Sequence, residues 1–263
     1  MVLATRCAAW VWPTRWKKPA TPCAAPGGRA RIGRARRIGG RFARAVLDAG
    51  IVSRHYGKLV FIGDSITQGW EEDGKPVWDQ YYGNRKALNL GYSGDRTEHV
   101  LWRLENGNFD GLKPKAIVLM IGTNNTGHQG RPQKELNGAV YQCTAEQTAE
   151  GIKAIVAKLQ QKCPDAKILI LAIFPRGANK EDKFRQQNEA TNAIVKGFAD
   201  DKKVFFLDVG AKFLEPDGTL SKTIMPDLLH PNQEGMNLIA ERFSALLATV
   251  LRDRDESGSR GAH

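Results

Sequence analysis

Short apolar runs alternate with amphipathic stretches along residues 57–253 of this 263-residue chain. The first run is rich in β-branched residues, and each run stops at a polar or glycine-rich turn, which is typical of a buried parallel strand. The stretches between the runs carry apolar residues at helical spacing. This alternation predicts an α/β domain built on a parallel sheet. The five predicted strands cover residues 58–62, 87–90, 116–121, 167–173 and 204–208.

Helices are predicted between these strands and after the last one. Thr144 and Gln147 match a capping box, so a helix should begin at Thr144. The segment 126–143 before it is longer than ordinary connections, which favours a role at the mouth of a binding site. The predicted helices cover residues 76–82, 97–104, 144–162, 183–198 and 234–251. The expected architecture is a flavodoxin-like three-layer sandwich with strand order 2-1-3-4-5.

Charge separates an N-terminal arm from the rest of the chain. Residues 1–56 hold twelve Lys and Arg residues and one acid, Asp48. Taking these from the 39 basic and 28 acidic residues of the whole chain leaves 27 of each, so residues 57–263 are formally neutral. The sequence therefore predicts a basic, disordered arm at 1–56, a folded domain at 57–253 and a disordered tail at 254–263.

The arm has two readings that its sequence leaves open. Its positive charge suits an anionic surface or a nucleic acid, but a dispensable tail, or a start codon placed too far upstream, explains the composition as well and is favoured. No nucleic-acid partner is expected for the neutral domain. No apolar run approaches the roughly 18 residues of a membrane-spanning helix, and Pro13 and Arg15 interrupt the start of the chain, unlike a signal peptide. A cytoplasmic location is favoured.

Polar residues follow four of the predicted strands. Ser65 follows the first strand, and Asn124 follows the third. These two strands flank the point where the strand order reverses, and ligands bind there beyond the carboxyl ends of the strands. A serine hydroxyl is a weak nucleophile without a base. His230 is the best candidate base, because Asp227 lies three residues earlier and can reach its Nδ1.

An oxyanion site can be assembled from the same strand ends. The candidate donors are the backbone N–H groups of Ser65 and Gly94 and the side-chain amide of Asn124. Each residue also has a plainer reading. Ser65 would cap a helix, Gly94 would serve a turn, Asn124 would shape a loop, and Asp227 with His230 would be a surface pair.

Four segments of the chain resemble, in order, the four sequence blocks of the GDSL/SGNH hydrolases. Ile66 stands where the first block has Leu, and the resemblance covers residues 59–251. Residues 94–104 and 175–177 are similar to the branch that contains the platelet-activating-factor acetylhydrolase catalytic subunits. The resemblance implies a Ser–His–Asp hydrolase on a flavodoxin-like sheet, without metal or organic cofactor. The four segments are Gly63-Asp64-Ser65, Gly94, Gly122-Thr123-Asn124 and Asp227-Leu228-Leu229-His230.

The leading interpretation is a serine esterase that hydrolyses short-acyl, preferably acetyl, esters through Ser65, His230 and Asp227. The loops at the carboxyl edge of the sheet are mostly polar, which disfavours a long acyl chain. Trp70 and Phe174 are the exceptions, and we expect them to wall a small pocket or stack on a sugar ring. The expected partner is a small-molecule ester, an acetylated carbohydrate first and an acetylated phospholipid second. A homodimer is left open.

Three other functions stay open at this stage. A lysophospholipase or lipase of the same family would share the site residues. A metallophosphoesterase would use Asp64, Asp95, Asn124 and His230 as ligands, but it needs more histidines than this crevice offers. A module that binds flavin or phosphate would use Ser65 and Thr67, although Asp64 beside them disfavours an anion.

Overall fold

The computed structural model describes residues 58–252, and side chains as far as residue 248. The whole of the predicted arm and tail therefore lies outside the described residues, and the domain boundaries stay a prediction. The described part contains one five-stranded sheet in the order β2-β1-β3-β4-β5, with every neighbouring pair parallel, which confirms the predicted order. Its strands are β1 (Leu59–Gly63), β2 (Leu88–Gly91), β3 (Ala116–Met120), β4 (Lys167–Leu171) and β5 (Val204–Leu207).

The α-helices agree closely with the predicted segments, and two further short helices follow β1 and β3. Thr144 caps its helix as predicted: its side chain accepts from the Gln147 backbone, and the Gln147 side chain accepts in return from the backbone of Thr144. The helices are α1 (Ser65–Gln68), α2 (Lys75–Tyr81), α3 (Thr97–Glu105), α4 (Thr123–Gly127), α5 (Ala145–Lys162), α6 (Lys183–Lys196) and α7 (Gln233–Arg252). None of these helices in the described part is long and apolar enough to cross a membrane.

The sheet separates two hydrophobic cores, because successive strand residues point to opposite faces. On one face, residues such as Ile62 and Leu119 pack with the apolar sides of α3 and α5. On the other face, Phe61 packs with α2 and α7, and its ring contacts those of Trp78 and Phe243 at centroid distances of 4.9 and 5.6 Å. The sheet is therefore covered by helices on both faces, and its strand ends carry the segments that hold the candidate site residues.

Two glycines bring the ends of β1 and β2 close to α1. A Cβ atom on Gly63 would collide with the Thr67 side chain and the Met120 carbonyl oxygen, and one on Gly91 would collide with the backbone of α1. Gly63 is in register with both Gly91 and Met120. The segments that carry Ser65, Gly94 and Asn124 therefore start from neighbouring strand ends.

The predicted long loop is folded rather than extended. It includes a 3-10 turn, Lys134–Leu136, and an antiparallel bridge between Pro132 and Val140. Its Glu135 carboxylate bonds the buried guanidinium of Arg96 at 2.8 Å, and the Arg96 guanidinium lies 4.2 Å above the Tyr141 ring. The segment is therefore tied to the N-terminus of α3.

Candidate active site

Ser65 is the first residue of α1, directly after the end of β1. Asp64, rather than Ser65, caps this helix: its Oδ1 accepts a hydrogen bond from the backbone N–H of Ile66 at 3.0 Å. The reading of Ser65 as a helix cap is therefore wrong. Because Asp64 caps the N-terminus of α1, the Ser65 hydroxyl is available for a different partner.

A chain of hydrogen bonds joins Ser65, His230 and Asp227. Ser65 Oγ lies 2.8 Å from His230 Nε2, and His230 Nδ1 lies 2.6 Å from Asp227 Oδ2. The carboxylate can only accept, so Nδ1 donates to it and Nε2 is left to accept from the serine hydroxyl. This tautomer is the one that a general base needs. The two bonded side chains Ser65 and His230 are 165 residues apart in sequence.

The Asp227 carboxylate is held by three donors. Burial works to raise the pKa of Asp227, but the hydrogen bonds from the His230 side chain and from the backbone N–H groups of His230 and Leu229 outweigh it and lower the pKa. Asp227 is therefore ionised at neutral pH and keeps the imidazole in one orientation.

The loop that carries Asp227 and His230 is fixed to the loop after β4. Leu228, between the two site residues, has φ +59°, which is uncommon for a branched side chain. Its carbonyl oxygen accepts from the backbone N–H of Gly177 at 3.0 Å. Buried Arg185 of α6 in turn donates to the carbonyl oxygens of Arg176 and Gly177. The strained backbone at Leu228 is thus held by contacts from outside its own loop.

Gly94 and Asn124 are brought together through Asp95. The Asn124 Nδ2 group donates to the Asp95 carbonyl oxygen at 3.0 Å. An amide nitrogen carries two hydrogens, so one remains for a further acceptor. Gly94 has φ +79°, a conformation that favours glycine, although a Cβ atom there would meet nothing within 4 Å. The Asp95 carboxylate accepts from Arg103 Nε at 2.9 Å, which anchors this turn to α3.

Asp64 is a buried carboxyl group beside the candidate nucleophile. Its Oδ2 atom has no hydrogen-bond partner among the described residues. Burial is the main cause that raises the pKa of Asp64 to about 7, and the negative charge of Asp95 adds to it. The group therefore changes charge near neutral pH, one residue from Ser65.

Arg176 is a site neighbour that the sequence reasoning used only as part of a resemblance. Its Nη1 donates to the backbone carbonyl and the hydroxyl of Thr123, at 2.8 and 3.0 Å. Gly127 makes room for it, because a Cβ atom there would lie 2.7 Å from Nη1. Burial lowers the pKa of Arg176, and the carboxylates of Asp182, Asp64 and Asp227 oppose that change. Arg176 thus contacts α4, the short helix that presents Asn124.

A cavity of about 420 Å³, here called the Ser65 cavity, opens beside Ser65 and His230. Its other polar lining residues include Gln68, Glu72 and Ser93. None of the described residues that line it comes from segment 126–143, so the expected role of that segment at the site mouth is not supported. The segment contacts α3 instead, as described above.

Trp70 and Phe174 do not reach the Ser65 cavity. They are 4% and 2% exposed and belong to the core between the sheet, α2 and α7. Together they line a separate void of about 10 Å³, too small for a sugar ring or an acyl chain. The prediction that they wall the binding pocket or stack on a sugar is therefore wrong.

The residues of a metal-dependent alternative are otherwise engaged. Asp64 caps α1, and Asp95 pairs with Arg103. In the described part of the chain, no group of three or more His, Cys, Asp and Glu side chains is arranged to hold a metal ion. His99 and His128 both contact Arg96, so they belong to the buried contacts around α3.

The chain is similar to known hydrolases over most of its length. The model of the GDSL-like Lipase/Acylhydrolase family matches residues 61–238. Platelet-activating factor acetylhydrolase IB subunit alpha1 from Homo sapiens is 36% identical over 205 residues, which cover 77% of this chain and 80% of that protein. Subunit alpha2 from Rattus norvegicus is 35% identical over 199 residues, covering 75% and 79%.

Solved structures share the fold at lower sequence identity. A putative acylhydrolase from Bacteroides fragilis superposes with a TM-score of 0.62 at 20% identity, covering 81% of this chain and all of the other. An acetylxylan esterase from Geobacillus stearothermophilus superposes with a TM-score of 0.54 at 21% identity, covering 73% of this chain and 93% of the other.

Proposed function

Because the chain belongs to the GDSL-like lipase/acylhydrolase family and is a carboxylic ester hydrolase, we propose that it hydrolyses short-acyl, preferably acetyl, esters with Ser65 as nucleophile. The observation that carries this proposal is the hydrogen-bonded series Ser65, His230 and Asp227 at the carboxyl end of the sheet.

The proposed reaction proceeds through an acyl-enzyme. Ser65 Oγ attacks the ester carbonyl carbon while His230 Nε2 takes the hydroxyl proton, and Asp227 stabilises the imidazolium that forms. The tetrahedral intermediate collapses, and His230 gives its proton to the departing alcohol. His230 then deprotonates a water molecule that attacks the acyl-enzyme. The acid leaves, and the proton returns to Ser65.

The negative charge on the tetrahedral oxygen requires donors that are already in place. We assign this task to the backbone N–H groups of Ser65 and Gly94 and to the Asn124 amide. The bond from Asn124 to the Asp95 carbonyl supports this assignment, since it fixes the amide next to the Gly94 turn. No metal or organic cofactor takes part in this scheme.

The lining of the Ser65 cavity supports a short acyl group. Burial of an alkyl chain contributes about 0.8 kcal/mol per methylene only where apolar walls receive it. Here the polar Gln68, Glu72 and Ser93 share the lining with three small or medium apolar side chains, and the large aromatic side chains nearby are in the core. The three apolar side chains are Ile66, Pro231 and Met236. Relatives whose names include acetylhydrolase and acetylxylan esterase point the same way. An acetylated carbohydrate is the preferred substrate and an acetylated phospholipid the second.

A chain-length series with the Ser65 variant tests the proposal. Wild-type protein should react with a fluorophosphonate probe at Ser65, and Ser65→Ala should remove both labelling and hydrolysis of p-nitrophenyl acetate. Ser244→Ala, on α7, is the matched control and should keep both. Values of kcat/KM should fall from p-nitrophenyl acetate through butyrate and octanoate to palmitate. A steady rise along that series would favour a lipase or lysophospholipase. The homodimer, which stays a prediction, is tested separately by light scattering.

A further inference from the structure

A second cavity lies beside the Ser65 cavity, between α2 and the start of α7. It measures about 670 Å³ and shares Asp73 with the Ser65 cavity. Pro231 lines the Ser65 cavity and the next residue, Asn232, lines the second one, so the two also meet along this loop. We call the second cavity the polar groove. Its polar lining residues are Asp73, Gln80, Asn232, Gln233, Glu234 and Asn237.

The groove offers hydrogen-bonding groups without a positive charge. Its polar side chains are carboxylates and amides, and no Lys or Arg is among the described residues that line it. Within the described part of the chain, the side chains of Asp73, Gln80 and Glu234 make no hydrogen bond or ion pair. Carboxylates accept and amides both donate and accept, so hydroxyl groups would find partners here.

The same lining disfavours a phosphate group or an alkyl chain. Phosphate is commonly bound at a helix N-terminus, but the first turn of α7 carries the acid Glu234, which would repel it. Pro76 and Val77 are the apolar members of the lining, too few to cover an extended acyl chain. The groove therefore differs in chemistry from a phospholipid site.

We propose that the polar groove binds the alcohol half of the ester, and that this half is an uncharged, hydroxyl-rich chain of several sugar units. The inference rests on the proposed function, because Ser65 must act on an acetyl group at one end of that chain. An acetyl ester bound at Ser65 would extend past Asp73 into the groove. The combined space exceeds what one sugar needs, which favours an oligosaccharide over a monosaccharide.

The test compares esters that reach the groove with esters that do not. The probes are p-nitrophenyl acetate, acetylated methyl xyloside, acetylated xylotetraose, acetylated glucose 6-phosphate and an acetylated phospholipid in mixed micelles. Wild-type protein should have a higher kcat/KM for acetylated xylotetraose than for the acetylated monosaccharide. It should discriminate against the phosphate-bearing sugar and against the phospholipid.

Groove variants then locate the effect. In Gln80→Ala and Glu234→Ala, the ratio of kcat/KM for acetylated xylotetraose to that for p-nitrophenyl acetate should fall about tenfold, the effect of one or two lost hydrogen bonds. The fall in kcat/KM for acetylated xylotetraose should come from a higher KM. Glu189→Gln removes an exposed carboxylate from α6 and should leave the ratio unchanged. In Asp73→Asn combined with Glu234→Gln, kcat/KM for acetylated glucose 6-phosphate should rise.

The outcomes separate this inference from the proposed function. If wild-type protein hydrolyses none of the acetyl esters, the proposed function fails. If it hydrolyses p-nitrophenyl acetate but gains nothing from the longer saccharide, or if the groove variants leave the ratio unmoved while they fold as judged by circular dichroism, the groove inference is overturned. A preference for the phospholipid that depends on the groove residues would overturn it as well.

Discussion

The side-chain amide of Asn124 donates a hydrogen bond to the backbone carbonyl of Asp95 at 3.0 Å. This bond joins α4, which follows β3, to the loop after β2, where Gly94 lies. Two of the proposed oxyanion donors are therefore held relative to each other before any substrate binds. Donors that need no reorganisation stabilise a developing charge most effectively.

We predict that Asn124→Ala lowers kcat on p-nitrophenyl acetate by roughly 10²–10³, the usual result of removing one oxyanion donor. KM should change much less, because the charge develops only in the transition state. Steady-state kinetics measure both. Asn106→Ala, at the end of α3, serves as the control and should behave as wild type. An effect confined to KM would instead make Asn124 a ground-state binding residue.

Arg176 is predicted to be a positioning residue for α4, which carries Asn124. Arg176→Ala and Arg176→Lys should both lower kcat by about 10-fold to 100-fold, because small displacements of catalytic groups reduce rates on this scale. Lysine keeps the charge but cannot reproduce the two bonds to Thr123 in the same geometry. KM should move little.

Gly127→Ala tests the same idea without touching the arginine. Its Cβ atom would lie 2.7 Å from Arg176 Nη1 and would displace the guanidinium from Thr123, so kcat should fall as it does in Arg176→Lys. Arg242→Ala, an exposed arginine on α7, is the control. Full activity in Arg176→Lys together with a loss in Arg176→Ala would show that charge, rather than position, matters.

Asp64 should make stability depend on pH between about 4 and 7. Its pKa in the folded chain is raised to about 7 from an ordinary value of 3.8. The contribution of Asp64 to the free energy of unfolding is therefore greatest below pH 3.8 and falls as pH rises from 3.8 towards 7. Above pH 7 it does not change further. The difference of about three pKa units corresponds to about 4 kcal/mol.

The variant Asp64→Asn should remove this loss. The unpartnered amide nitrogen offsets about 1–3 kcal/mol of the gain, so a net stabilisation of about 1–3 kcal/mol is expected at pH 8. Urea unfolding at pH 4, 6 and 8 measures it. Asp200 gives the opposite control, since hydrogen bonds from the backbone N–H groups of Val204 and Lys202 lower its pKa. Asp200→Asn should have a lower free energy of unfolding than wild type at neutral pH, and this difference should disappear at acid pH. A difference in the free energy of unfolding between Asp64→Asn and wild type that does not change with pH would contradict the prediction.

The N-terminal arm is predicted to be dispensable for catalysis. Its charge and composition differ sharply from those of the neutral remainder of the chain. Deletion of residues 1–50 should leave kcat/KM for p-nitrophenyl acetate within about twofold of the value for the full chain. A twofold change corresponds to a free-energy difference no larger than RT. The measurement uses purified protein of both lengths. A deletion variant that fails to fold would show that the arm stabilises the domain.

The sheet and its order could be predicted because local pattern and chain connectivity determine them. Apolar runs mark the strands, and the capping box at Thr144 marks the start of α5. The triad candidates were also found from the sequence, since a serine after β1 and an Asp–His pair near the C-terminus carry recognisable patterns.

What the sequence could not give are the outcomes of long-range packing. Whether Trp70 faces the solvent or the core depends on Phe61 and Tyr82, which contact its ring from other elements. The role of Arg176 depends on the small volume at Gly127, 49 positions before it along the printed sequence. Helix-cap choice between Asp64 and Ser65 depends on backbone dihedral angles at the end of β1. None of these leaves a periodic signal.

The hydrogen bond between Ser65 and His230 also has a consequence for biosynthesis. At about 5–20 residues per second, a ribosome needs roughly 8–33 s to add the 165 residues that separate the two side chains. During that interval the nascent chain carries Ser65 without His230, its proposed base, and α7, whose Phe243 packs on Phe61, has not yet been made. Under the proposed mechanism, the chain is therefore inactive until His230 has been made, and a product that terminates before His230 lacks the proposed base for Ser65.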